Sequence, residues 1–518
     1  MTNLYLKSAP YLRSLLAAGA LGLLAGPGQA LTADELWGQW REYLGSYGYE
    51  VSAQIASSGD TLTISDLAVK LDMKAFDAGA GAVTISLGQI TLAGQSNGTV
   101  ILTLPPVTPL VVDVAAEGEP PVKVTMDYAQ QGFSMIASGD KEATHNEFSA
   151  DSLKVALKSI QQDRVSLDLG VIELVLAGLN GTSDISSGAI YTIEQVLEAD
   201  RLSYVVDIHN PEPGSDGTFK MSGEMRGLTS NGGGAIPKDV DMTDMAAALK
   251  AGYAAFAELD YQGGTSDIAF REHGKWFELK TSSEGGSFDF DIDAETLSYG
   301  IFSQNLALYT AGDDVPFPVN VSAEEVGFGL AMPLAASDDL KDFWAEISAT
   351  GVNLPNEVWM MGDPGNALPH DPVTVQASLA GTGRLFVDLT DEEQMMKLGQ
   401  TGGLPGLVET LTLEALTIKG AGAEINASAV LDVDNDAQSP LGPFPNVFGT
   451  AELRLMGVRA LVEKLAAMGL VPQGPALMIN GMVSELGKQE TGPDDLSAHV
   501  VLGEQGTLTV NDKPIPLK

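Results

Sequence analysis

Apolar side chains in this chain recur mainly at every second position, with single-residue slips in the rhythm. Leu62 and Ile64 alternate with Thr and Ser; Leu67, Val69, Leu71 and Met73 alternate again in the opposite phase. The same slip occurs in Ile85, Leu87, Ile90 and Leu92, in Leu167, Leu169, Ile172 and Leu174, and in Leu411, Leu413, Leu416 and Ile418. Successive side chains of a strand point to opposite faces, so an unbroken strand would keep one parity. One extra residue, as in a β-bulge, returns both halves to one face and bends the strand. The spacing predicts long, bent strands with a single apolar face; two short strands joined by a turn would give the same pattern.

Other stretches alternate without a slip. Phe288, Phe290 and Ile292 oppose Asp289, Asp291 and Asp293; Ala423 to Val433 opposes small apolar residues to Glu424, Asn426, Ser428 and Asp432. Such two-sided strands predict an antiparallel sheet, apolar on one face and acidic or hydroxylic on the other, paired as a meander. A closing hairpin is expected from Val500, Leu502, Leu508 and Val510 around residues 503–506.

Helical spacing appears in fewer places. Thr32 and Glu35 form a capping-box pair ahead of Leu36, Trp37, Trp40, Leu44 and Tyr47, with Gly48 as the stop. Further helices are expected over 242–258, 338–347, 391–398, 454–469 and 475–486. The Gly-rich run Ser230 to Gly234 reads as a linker. The resulting division is a leader peptide at 1–30, an N-terminal β-rich module with a leading helix at 31–227, a linker and helix at 228–258, and a C-terminal β-rich module with helices at 259–518. The fold class is β-rich α+β: large curved antiparallel sheets with helices packed on the apolar faces.

The first thirty residues set the expected address. Lys7 and Arg13 precede an apolar stretch from Leu15 to Ala25, and Gly28-Gln29-Ala30 offers the small residues of a cleavage site. That stretch is short for a membrane span, and no Cys follows it to take a lipid. The expectation is export to the bacterial periplasm with a mature chain from Leu31 and no transmembrane span after cleavage. Without residues 1–30, 26 basic residues face 69 acidic ones, a net charge of 26 − 69 = −43. Such acidity argues against nucleic acid as a partner and against adsorption to anionic lipid headgroups. With no Cys anywhere, disulfides, thiol nucleophiles and thiolate metal sites are excluded.

Candidate chemistry is sparse. Gly94-Gln95-Ser96-Asn97-Gly98 matches G-x-S-x-G, but a nucleophile elbow must join a strand to a helix, and here a strand follows. Asn97-Gly98 reads instead as a hairpin turn. Asp432 to Asp436 resembles the opening of a calcium loop, yet Ala437 and Pro443 stand where Gly and Glu are needed. Asp289, Asp291 and Asp293 share one strand face and read as an outward polar surface. His145, His209, His273, His370 and His499 lack zinc-like spacing. No catalytic, cofactor-binding or metal-ligating residue is nominated, no cofactor is expected, and the chain reads as a non-enzyme.

Several phrases carry a family resemblance. These are WGQWREYLGSYGY at 37–49, GDTLTISDLAV at 59–69, Asn97 to Val100, the Leu104-Pro105-Pro106 end of its strand, TLTLEALTIKGAGAEINASAVLDVDND, and the terminal GTLTVNDKPIPLK. They resemble an uncharacterised alphaproteobacterial family of exported proteins, the domain of unknown function 2125. The last phrase, with GLVP at 469–472, is also distantly similar to YdgA-type and AsmA-type envelope proteins; Asn511-Asp512 stands where relatives often carry Asn-Gly. The resemblance implies a long bent sheet and an envelope role, and supplies no catalytic residue. The leading expectation is an envelope-associated protein that binds lipid or another apolar ligand on a curved sheet. The alternative is an acidic structural or scaffolding protein that meets envelope proteins through its acidic surface, in a cation-dependent way.

Overall fold

Thr32 caps the first helix as its pattern predicts. Its hydroxyl accepts the Glu35 N–H at 3.2 Å, and the Glu35 carboxylate accepts the Thr32 N–H at 3.0 Å. This reciprocal pair satisfies two donors that a helix start leaves unpaired. Helix α1 (Ala33–Ser46) follows, and Gly48 ends it at φ +81°. The computed structural model describes residues 30–72, 81–115, 121–162, 165–167, 170–211, 214–238, 240–438, 445–504 and 507–515. Residues 1–29 of the leader reading lie outside these, as do Met73, Leu169, Pro443 and residues 505–506 of the closing hairpin.

Strands dominate the rest. The first group is β1 (Glu50–Ser58), β2 (Thr61–Asp72), β3 (Ala82–Leu87), β4 (Ile90–Gly94), β5 (Val100–Thr103), β6 (Val107–Ala115), β7 (Val122–Gln131), β8 (Ser134–Gly139) and β9 (Ala143–Gln162). Next come β10 (Val165–Leu167), β11 (Gly170–Ser187), β12 (Ile190–His209), β13 (Thr218–Pro237), α2 (Met245–Lys250), β14 (Ala254–Tyr261), β15 (Gly263–Glu272), β16 (Lys275–Ser283) and β17 (Gly285–Ile292). A long-stranded stretch holds β18 (Thr296–Gly312), β19 (Val319–Pro333), β20 (Lys341–Val352), α3 (Asn356–Gly362), β21 (Val373–Leu385), α4 (Glu392–Thr401), β22 (Gly406–Gly420), β23 (Ala423–Gln438) and β24 (Pro445–Met456). The chain closes with α5 (Val458–Ala467), α6 (Gln473–Leu486), β25 (Lys488–Gln489), β26 (Asp495–Leu502), β27 (Leu508–Val510) and β28 (Lys513–Ile515).

Every ladder is antiparallel, and the strands join into one sheet. From β18 to β24 each strand pairs with the next in sequence, the meander that the alternation predicts. Elsewhere two short strands share one rung. β3 and β4 both lie along β2; β14 and β15 both lie along β13.

The slips in apolar phase have a structural cause. In β2, Asp66 takes φ 52°, and the register with β1 shifts between Ser52 and Gln54. The extra residue keeps Leu62, Ile64 and Leu67 on one buried face despite their mixed parity. In β22 the register against β23 shifts between Leu413 and Leu416. Ile85 to Leu92 takes the other form: β3 and β4 are separate strands with Gly88-Gln89 between them.

Several expected elements differ. Most of the helix expected at 338–347 is strand β20 from Lys341 on, paired with β21 along nearly its whole length and with β19 from Trp344 to Thr350. Ladder bonds on both sides outweigh the weak helical spacing of Leu340, Phe343, Trp344 and Ile347. The run Ser230 to Gly234 expected as a linker lies inside β13, where Gly232, Gly233 and Gly234 pair with both β12 and β14. The 242–258 helix is cut to Met245–Lys250. The Ala-rich remainder enters β14, where Ala255, Ala257 and Leu259 alternate with Phe256, Glu258 and Asp260. Helices α4, α5 and α6 overlap the expected regions, α4 running three residues further, α6 starting two residues earlier, and α5 starting late because Arg454 to Met456 complete β24. No helix among the described residues is long and apolar enough to cross a membrane.

The densest core sits beneath α1. Leu36 and Trp37 pack with Leu62, Ile64, Leu67, Ile90, Leu92, Val100 and Ala137. The helix then reaches across the sheet: the Thr144 hydroxyl donates to Gln39 Oε1 at 2.8 Å, and the buried Tyr191 hydroxyl donates to Glu42 at 2.8 Å. Desolvation and the Glu42 carboxylate raise the Tyr191 pKa. Away from this core few large side chains are fully buried.

Candidate functional site

Directly paired residues in an antiparallel sheet project to the same face, so rows can be followed from strand to strand. One row begins beneath α1 at Leu62 and continues through Leu92, Leu102, Met135 and Phe148. It crosses Gly181, Leu197, Ser230, Leu259 and Phe288. It then passes through Ile301, Phe328, Ile347 and Ala377, and ends on Leu416, Ala427, Leu453 and Ala498. Every side chain but Ser230 and Gly181 is apolar, over eighteen strands. At about 4.8 Å per strand this row is roughly 80 Å long, measured along the sheet.

Parallel rows widen it. Phe290, Tyr299, Leu330, Ala345, Leu379, Leu413, Ala429 and Ala451 form one neighbour. Val326, Ala349, Val375, Ile418, Ile425, Leu455 and Leu496 form the other. The bulge at Leu413–Leu416 keeps β22 in both rows; without the extra residue, Leu416 and Ile418 would turn to the other side.

Cover on this face is uneven. Leu62 and Leu92 are sealed under α1, whereas Ile301, Phe328 and Ile347 in mid-sheet remain 48%, 41% and 50% exposed. Val326, Val375 and Ile418 beside them are also open. Monomeric proteins rarely leave a contiguous apolar surface of this size without a use for it.

The opposite face is acidic. Asn231, Glu258, Asp289, Gly300, Gly329, Glu346 and Ser378 form a row there. Burial, then the nearby Glu258 and Asp260 carboxylates, raise the pKa of Asp289. Burial, then Asp293 and Glu258, raise Asp291. Glu346 is raised by burial, then by Glu325 and Glu414. Phe302 and Trp344 lie on this face over Gly327 and Gly329, where a Cβ would strike their rings. Asp293 leaves the row and caps a turn, its carboxylate accepting the N–H groups of Glu295 and Thr296 at 2.7 Å.

The remaining sequence motifs do not converge. Ser96 sits in the β4–β5 hairpin turn closed by the Gly98 N–H to the Gln95 carbonyl at 3.0 Å. Asp432 to Asp436 lies inside β23, and Asp434 accepts the Asp436 N–H at 3.1 Å. The histidines are dispersed. His145 contacts Asp184 at 2.7 Å, a hydrogen bond that raises its pKa. His499 contacts Glu452 at 2.6 Å, and His370 stacks on Trp359 at 4.7 Å. Among the described residues no three His, Asp or Glu side chains gather as a metal site. A depression of about 460 Å³ near Asp267, Lys280, Tyr309 and Pro355 holds no nucleophile paired with a base.

The open apolar face is the feature that sequence reasoning assigned only in part. Alternation put Phe288, Phe290 and Leu411 to Ile418 on apolar faces, but it singled out neither Ile301 nor Phe328, and Ile347 was expected in a helix; that the mid-sheet rows stay uncovered depends on where the helices land. Residues 247–517, just over half of the chain, match a family described as "Uncharacterized protein conserved in bacteria". No curated protein and no solved structure matches the chain.

Proposed function

This chain belongs to the bacterial DUF2125 family, and on that premise we propose that it is a non-enzymatic envelope protein that carries acyl chains on the apolar face of its sheet. The observation that carries this reading is the eighteen-strand apolar row with Ile301, Phe328 and Ile347 half-exposed at its centre. Burying apolar surface is the main drive for association, and an acyl chain laid across the strands would cover these side chains without needing a polar partner. In this reading residues 1–30 direct export, and the mature chain works in the periplasm of an alphaproteobacterium as a distant relative of YdgA-type and AsmA-type proteins. The phrases GLVP and GTLTVNDKPIPLK support that kinship.

Native mass spectrometry of the mature protein, purified without detergent and followed by solvent extraction, tests the proposal. The expected result is a stoichiometric acyl lipid. A bare protein that also fails to take up added fatty acid would sink it. The acidic row through Glu258, Asp289 and Glu346 favours a second reading, a cation-dependent scaffold. Thermal stability that does not change with millimolar calcium would rule that one out.

A further inference from the structure

We infer that a depression on the sheet, centred on Tyr309, is a binding site for a neutral oligosaccharide. None of the residues that line it belongs to the apolar rows, so the inference stands whether or not those rows hold an acyl chain.

The register of the sheet assembles the site. Asp267, Lys280, Tyr309 and Asn320 are directly paired across β15, β16, β18 and β19, so their side chains project to one face. Ser282, Ala307 and Ser322 form the next row on that face. Asn353 bridges to this row, its Nδ2 donating to the Ser322 hydroxyl at 3.3 Å. Two strands turn beside the patch, β18 at Asn305 with φ 48° and β20 at Gly351 with φ 60°, and Pro355 ahead of α3 completes the lining. The volume of about 460 Å³ falls in the range of small-molecule sites, roughly 300–1,000 Å³.

Its polar groups are not spent on the protein. Among the described residues, the Tyr309 hydroxyl, the Asn320 amide, the Ser282 hydroxyl and the Asp267 carboxylate have no hydrogen-bond partner. Tyrosines elsewhere in the sheet behave differently. The Tyr204 hydroxyl donates to Ser266 Oγ at 2.9 Å, and the hydroxyls of Tyr261 and Ser283 lie 3.0 Å apart. Tyr309 stands beside serines in the next row yet bonds none of them. Its ring is half-buried, and Ala307, two residues before it, is too small to cover what remains open.

Charge and shape identify the ligand. Lys280 is the only cation among the described residues that line the depression, and Glu278 takes up its charge at 2.6 Å. No free cation is left there to hold a phosphate or a carboxylate, and a chain of net charge −41 repels anions at longer range. Lys280 beside Asp267 likewise disfavours a cation. The complementary ligand is neutral, apolar on one side and rich in hydroxyls at its edge. A pyranose ring has that form: its C–H face packs on an aromatic ring, while its hydroxyls both donate and accept. The Asn320 and Asn353 amides, the Ser282 hydroxyl and the Asp267 carboxylate supply donors and acceptors around Tyr309. From β15 to β19 the row of four strands is about 14 Å across, longer than one sugar ring, which suits an oligosaccharide.

Saturation-transfer NMR of the mature chain with maltotriose, cellotriose and N,N′-diacetylchitobiose tests this. Transfer to the ring protons of at least one sugar is expected, and titration gives its dissociation constant. For that sugar Tyr309→Ala should weaken binding roughly tenfold, by loss of the stacking ring, and Asn320→Ala about fivefold, by loss of a hydrogen bond. Tyr309→Phe keeps the ring and should bind within about fivefold of the wild type, which keeps the test readable should Tyr309→Ala fold poorly. Phe386→Ala, which removes an exposed aromatic outside the depression, should bind as the wild type does. No transfer to any of the three sugars, equal binding by a folded Tyr309→Ala, or tighter binding of glucose phosphate would overturn the inference. Sugar binding that survives replacement of Ile301, Phe328 and Ile347 by Asp separates failure of the acyl-binding reading from failure here.

Discussion

Replacing Ile301, Phe328 and Ile347 with Asp together is the sharpest perturbation of the apolar face. These residues are directly paired across β18, β19 and β20, so the triple variant interrupts the row over three adjacent strands. Fully burying such a side chain contributes about 1.5–3 kcal/mol. Each is already about half covered in the free protein, so a bound acyl chain would gain about 1 kcal/mol from each. Losing about 3 kcal/mol weakens binding about a hundredfold. Fluorescence titration with a labelled fatty acid reads this directly. Val430→Asp is the control, because Val430 is 62% exposed but alternates with Ala429 onto the opposite face. The control should bind as the wild type does. An unchanged dissociation constant in a folded triple variant, or an equal loss in Val430→Asp, would refute the assignment of the face.

Three further outcomes follow from geometry and charge. Leu36→Ala, at the fully buried centre of the α1 core, should cost about 3–5 kcal/mol in denaturant unfolding. A carboxyl whose pKa is raised by folding favours the fold most below its unfolded value, and that contribution is lost as pH rises through the folded value. Asp289→Asn and Glu346→Gln should therefore raise the unfolding temperature at pH 7, with the gain vanishing below the ordinary carboxylate range. Asp495 behaves oppositely. The Arg454 guanidinium, 3.1 Å away through two nitrogens, and the Thr491 hydroxyl bring its pKa down to about 2. Its contribution is present above the ordinary value of about 4 and lost as pH falls toward 2, so Asp495→Asn should flatten the acid limb of the stability curve.

Local chemistry decided what could be read from the residues alone. Thr32 and Glu35 announce their helix because the cap is made within four residues. The bulges at Asp66 and at Leu413–Leu416 were legible because a register slip leaves a parity break in the chain. β20 and the glycines of β13 were not, since their state is set by strands paired on either side. The Ala-rich start of β14 shows the same override: alanine favours a helix in isolation, yet two neighbouring strands hold it extended. The exposure of Ile301, Phe328 and Ile347 was illegible for a different reason. Nothing in a strand's own alternation says whether another layer will cover it.

The unbroken succession of pairings from β18 to β24 also bears on how the chain reaches its structure. Each strand needs only the one before it as a template; four of the six connections are short, and the two longer ones, 353–372 and 386–405, carry α3 and α4, a length that adds little because closure entropy grows only slowly with loop length. Assembly can then advance one strand at a time in step with the arrival of the polypeptide, and damage to one strand weakens its neighbours before it weakens the whole, as in repeat proteins.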